Sequence, residues 1–66
     1  MKLQDKGFIR GVGYSVATLE KIYFIQEAGQ LLKESGFKLK DFIDSGIAEY
    51  DLEGIKKVIK EERIDA

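Results

Sequence analysis

Apolar residues at Ile9, Val12, Val16, Leu19 and Tyr23 advance along the chain by three and four, the step that places side chains on one face of an α-helix. Phe8 adds breadth to that face. Glycines at 7, 11 and 13 act against it, since each costs about 1 kcal/mol relative to alanine inside a helix. The competing arrangement is a short strand from Gly7 to Val12, followed by a helix with Ser15 as its N-cap. The spacing continues unbroken across the glycines and favours the helix. Around Ile22–Gln26 the apolar positions change face, which predicts a kink or short loop before a second helix, Glu27 to Ser35.

Ser35-Gly36-Phe37 and Ser45-Gly46-Ile47 repeat one pattern and read as two helix stops. Each has glycine in the left-handed position after the last turn and an apolar residue behind it. In that geometry Phe37 falls back on Leu32 and Ile47 on Phe42. Between the stops, Leu39, Phe42 and Ile43 predict a helix of about two turns. For the last helix Asp51 is a suitable N-cap, with Tyr50 and Ile55 placed as a hydrophobic staple. Leu52, Ile55, Val58 and Ile59 then form its buried stripe, Glu53 and Lys57 pair on the wet face, and the chain frays after Glu62. The fold class that follows is all-α: a single domain over residues 1–66, built as a small bundle of four helices in two layers, with three helices as the fallback.

Length and composition narrow the ways such a bundle is held together. A chain of 66 residues supports only a thin core. The absence of cysteine and histidine removes disulfides and nearly removes a structural metal. Helix packing and oligomerisation remain. Residues 1–33 carry five Lys/Arg against three Asp/Glu, a net of +2, and residues 34–66 carry six against nine, a net of −3. Neither half has the excess positive charge of a dedicated nucleic-acid binder. The longest apolar run, Ile22 to Ile25, is four residues, too short for a membrane span or an export signal, so no membrane association and a cytoplasmic location are expected.

Candidate chemistry is sparse. Without His or Cys, a nucleophile–base pair has to come from carboxylates, lysines, tyrosines and serines. Asp41 and Asp44 share a helix face, but neither sits in an apolar run that raises a carboxylate pKa, and the spacing is ordinary for a solvated helix. Glu49, Asp51 and Glu53 lack the ligand number and glycine turn of a calcium loop. Gly11-Val12-Gly13-Tyr14-Ser15-Val16-Ala17 looks like a dinucleotide-binding turn, yet the chain is too short for the βαβ unit that motif serves. No catalytic residue, cofactor or metal is expected, and the chain is not expected to be an enzyme. The segment Leu31–Phe42 is the alternative of note, as a helix-turn-helix. Its would-be recognition helix stops at Gly46 and balances Lys38 and Lys40 with Asp41 and Asp44.

Projected as a helix, residues 7–23 leave a third arc, beside the apolar and charged ones, that holds Gly7, Gly11, Ser15 and Thr18, with Ile22 closing it and Tyr14 beside it. Small side chains let another backbone approach closely. These six residues are the candidate interface, for a protein partner or a second copy of the chain in a homodimer. A neighbouring helix of the same subunit is the competing occupant.

Arg10-Gly11-Val12-Gly13-Tyr14-Ser15-Val16-Ala17, Leu31-Leu32-Lys33-Glu34-Ser35-Gly36-Phe37 and Gly46-Ile47-Ala48-Glu49-Tyr50-Asp51-Leu52, in that order and spacing, resemble short proteins encoded by bacteriophages and prophages. The resemblance implies a viral accessory protein that binds a host or phage component in the host cytoplasm, inhibition of a host system included. It assigns no functional residue. The function expected is thus a non-enzymatic, self-associating protein-binding module, the alternative being a small DNA-binding regulator.

Overall fold

The computed structural model describes residues 5–66. Among them lie four helices and no strand: α1 (Lys6–Lys21), α2 (Ile25–Ser35), α3 (Leu39–Asp44) and α4 (Glu49–Glu62). α1 is the hub, packing on each of the other three, while α2 and α3 both reach α4. The chain is a small all-α bundle, as the apolar spacing predicts.

The glycine-bearing segment is helical from its first turn. Asp5 caps it, its carboxylate accepting the Gly7 N–H at 2.9 Å. Ile9, Gly13, Val16 and Ala17 are the residues it buries. Gly13 is required there for its size: a β-carbon would run into Ile47 and lie 3.0 Å from Phe42 and 3.1 Å from Ile55. The helix penalty of glycine is thereby offset by close packing of α1 on the rest of the core. Phe42, Leu32, Ile55, Val16 and Val58 are the largest side chains buried in full. Phe42 anchors an aromatic row, with Phe37 edge-on to it at 5.9 Å and Phe8 edge-on to Phe37 at 6.0 Å.

Both glycine stops form, with Gly36 at φ 74° and Gly46 at φ 80°. Their hydrogen bonding differs from the expected pattern at the first stop. The Phe37 N–H goes to the Ser35 hydroxyl at 3.1 Å, and that hydroxyl donates to the Leu32 carbonyl at 2.7 Å, so serine stands between the two groups. Ser45 does the same to the Phe42 carbonyl at 2.7 Å and is buried.

Several local expectations are corrected. The last helix starts three residues early, with Ala48 as N-cap, so Asp51 lies within its first turn and is no cap. The staple is lost with it, as Tyr50 is 71% exposed. Lys57 reaches Glu20 of α1 at 3.5 Å, and Glu53 pairs instead with Lys56 at 3.7 Å. Tyr23 leaves the α1 stripe altogether. It sits beyond the helix at φ 70°, closing a Schellman turn in which the Phe24 N–H reaches the Leu19 carbonyl at 2.8 Å and the Tyr23 N–H reaches Glu20 at 3.1 Å. Phe8 and Ile43 are likewise more than half exposed.

The expected fraying after Glu62 does not occur either. Arg63, at φ 54°, ends α4 in a second Schellman turn, with the Ile64 N–H on the Ile59 carbonyl at 3.0 Å. Ile64 then packs against the core, and the Ala66 carbonyl accepts the Leu39 N–H at 2.9 Å. The tail so occupies the start of α3, where a backbone donor lacks a helical partner.

Candidate interface on the outer face of α1

α1 turns its apolar stripe inward, so its remaining arc faces outward. At about 100° per residue, Gly7, Phe8, Gly11, Tyr14, Ser15, Thr18 and Ile22 fill that outer arc. None is charged, in a chain whose residues are 35% charged. An outward helix face of about four turns is the place where lysine and glutamate are expected. Phe8 and Tyr14 are each 61% exposed and Ile22 51%.

Of the six residues singled out by spacing, Gly7, Gly11, Tyr14, Ser15 and Ile22 are exposed and Thr18 is half-buried. They lie together along one face. No helix of the same subunit covers them at Gly11, where a β-carbon would meet nothing within 4 Å among the described residues. The Ser15 hydroxyl is turned back on the Gly11 carbonyl at 3.0 Å, which lowers its polarity toward solvent. The glycines that do receive neighbouring elements are Gly13, Gly29 and Gly54.

The cations flanking the face are drawn off it. Arg10 donates to the Ser45 carbonyl at 2.6 Å, over toward α3. Lys21 stands 4.0 Å from the Asp51 carboxylate and 4.1 Å from the Tyr50 ring centroid, over toward α4. Both charges, which border the arc on its Tyr14 side, are thereby engaged by other elements of the fold.

Spacing did not bring out the residues that extend this face. Tyr23, 90% exposed, and Phe24 continue from Ile22 around the α1–α2 turn. The turn makes three consecutive large side chains protrude, and a left-handed tyrosine is its apex. A helical projection cannot foresee this, because it assumes that Tyr23 remains on the helix.

The other candidates assemble no comparable site. Asp41 and Asp44 line a cavity of about 180 Å³ with Lys6, Ile9 and Ser45, and Asp41 is engaged by the Lys38 N–H at 2.8 Å. Among the described residues no group of three or more acidic side chains is placed to hold a metal ion. In the Leu31–Phe42 segment, α3 has six residues, and α2 and α3 do not pack on each other. A helix-turn-helix depends on that packing to present its second helix. No helix among the described residues is long and apolar enough to cross a membrane.

Comparison of the chain with protein-family models, with curated proteins and with solved structures finds no match.

Proposed function

We propose that this chain is a non-enzymatic protein-binding module that contacts its partner through the outer face of α1 and also self-associates. The supporting observation is the uncharged arc from Gly7 to Ile22, along which Phe8, Tyr14 and Ile22 expose apolar surface while the adjacent cations are engaged elsewhere. A solvent-facing helix surface has no folding requirement for apolar side chains, and contiguous apolar surface rimmed by charge marks contact sites. The resemblance to short phage and prophage proteins supports a viral accessory role in the host cytoplasm, exerted by binding or inhibiting a host component.

Affinity capture from host lysate, with and without nuclease, compares the unaltered chain with Tyr14→Glu. Tyr14 is exposed, so the substitution leaves the core intact. A protein retained regardless of nuclease and lost with Tyr14→Glu supports the proposal. Retention that depends on nucleic acid and is indifferent to Tyr14 favours the DNA-binding alternative.

A further inference from the structure

We infer that the cavity between the end of α2, the start of α3 and the tail after α4 is a binding site for a small amphipathic anion, an apolar body that carries one carboxylate. No residue of α1 lines it, so the site stands apart from the proposed contact face. Its volume is about 320 Å³, within the range of small-ligand sites, whereas the cavities beside Tyr50 and Asp44 hold about 220 and 180 Å³. Leu32, Phe37 and Ile64 supply apolar walls, and Lys33, Lys38 and Arg63 surround them. Asp65 is the one acidic side chain among the described residues that line it. Three cations against one carboxylate make a local excess of positive charge in a chain whose net charge is −1.

These charges are not absorbed by the fold. Among the described residues none of the three cations forms an ion pair; the pairs present are those of Lys21, Lys56 and Lys57. The Lys38 ammonium donates to the Asp65 carbonyl at 3.0 Å, a neutral acceptor that leaves its charge uncompensated and two further donors available. A cation at the ends of α2 and α4, where Lys33 and Arg63 lie, offsets exposed carbonyls. Lys38 has no such role, because it stands at the N-cap of α3, where a cation works against the helix dipole. Arg63 occupies a left-handed position, φ 54°, that glycine adopts without penalty. The fold needs the turn there rather than a guanidinium, and residues held in such conformations cluster at ligand sites.

Backbone donors decide the class of ligand. The N–H groups of Gly36, Phe37, Lys38 and Leu39, consecutive along the segment that joins α2 to α3, are all engaged. They go to the Lys33 carbonyl, the Ser35 hydroxyl, the Asp41 carboxylate and the Ala66 carbonyl, in that order. None of the four is left to cradle a phosphate or to pair with an extended peptide. Recognition therefore falls to side chains, with the cations for one anionic group and the apolar walls for the body attached to it. The guanidinium fork matches a carboxylate through two parallel hydrogen bonds.

The probe is 2-naphthoate, an apolar bicycle with one carboxylate, titrated into the full chain and followed by the chemical shifts of the backbone amides. Neutral 2-naphthylmethanol and acetate are the controls. The expected result is a saturable shift of the Gly36, Phe37, Lys38 and Ile64 amides with a Kd of about 1 mM, the affinity of a fragment of about a dozen non-hydrogen atoms. Either control is expected to bind several-fold more weakly. Lys33→Gln is expected to weaken naphthoate binding about two- to fivefold, the worth of one solvent-exposed ion pair. Arg63→Gly is the sharper variant, because glycine keeps the left-handed turn. Its melting temperature is expected to be kept or raised while binding weakens by a similar factor. Asp65→Asn removes the competing carboxylate and is expected to tighten binding. Equal binding of the neutral probe, or no weakening in Lys33→Gln and Arg63→Gly, would overturn the anion site and leave these cations as helix-end charges. Shifts confined to the face around Tyr14, or none that saturate, would overturn the cavity as the ligand site.

Discussion

Ala17 and Gly54 mark the crossing of α1 and α4: a β-carbon on Gly54 would lie 3.0 Å from the Ala17 β-carbon and 3.2 Å from its α-carbon. The α-carbon belongs to the backbone of α1 at a buried residue and cannot yield cheaply. Gly54→Ala is therefore expected to lower the unfolding free energy by about 1 kcal/mol, overpacking outweighing the gain in helix propensity. Gly11→Ala has the opposite sign. Its β-carbon meets nothing within 4 Å, and removal of an interior helical glycine adds about 0.5–1 kcal/mol. Urea unfolding of both variants below the association range checks the pair, and equal shifts would show that the crossing is looser than described.

Tyr23 is held at φ 70° with 90% of its surface exposed, so it pays for a left-handed backbone without packing in return. Tyr23→Gly is expected to raise stability by about 0.5–1 kcal/mol, the relief of strain being partly offset by the freer unfolded chain. For a domain this small, that is a melting-temperature rise of about 3–6 °C. An unchanged or lower melting temperature would mean that the tyrosine ring stabilises the turn. Residues kept under such strain cluster at sites of function, which fits the position of Tyr23 at the end of the uncharged face.

The segment after Glu62 contributes to the fold through Ile64 on the core and through the Ala66 carbonyl on the Leu39 N–H. Ending the chain at Glu62 removes a partly buried isoleucine and leaves that donor to solvent. A loss of about 2 kcal/mol is expected by thermal unfolding, from the combined apolar and hydrogen-bond contributions. A frayed tail would show no loss.

Duplex DNA is expected to bind no more tightly than about 10⁻⁵ M at physiological salt, within the range of non-specific contact. A fluorescence anisotropy titration at several salt concentrations measures this. A sequence-selective nanomolar complex that is lost with Lys38→Glu and Lys40→Glu would instead establish the DNA-binding alternative.

The helical periods of α1 and α4 were legible because a stripe at steps of three and four has one physical origin, a single buried face. The glycine stops were legible for a similar reason, as only a residue without a β-carbon adopts φ near 75° freely. What escaped was set by tertiary contacts or by backbone strain. Asp51 has the chemistry of a cap, yet it turns toward Lys21 while Ala48 begins the helix. Tyr23 and Arg63 occupy positions where sequence patterns lead one to expect glycine, so the two Schellman turns carried no local signal. Gly13 and Gly54 looked no different from Gly7 and Gly11, because the sequence does not show which helix face will meet a neighbour. The candidate interface was read from small size on an arc apart from the charged one; the structure adds its exposure and the aromatic turn at its end.

Gly11→Leu tests the role of the α1 face most directly, with circular dichroism and sedimentation velocity measured on the same samples. A leucine here enters open space in the single subunit and improves helix propensity, so helicity is expected to be kept or slightly increased. Across a close helix–helix contact the same side chain forces the backbones apart, so association is expected to be lost. Helicity kept with association abolished is the predicted result. Unfolding of the variant, or association unchanged by it, would contradict the assignment of this face as the contact surface.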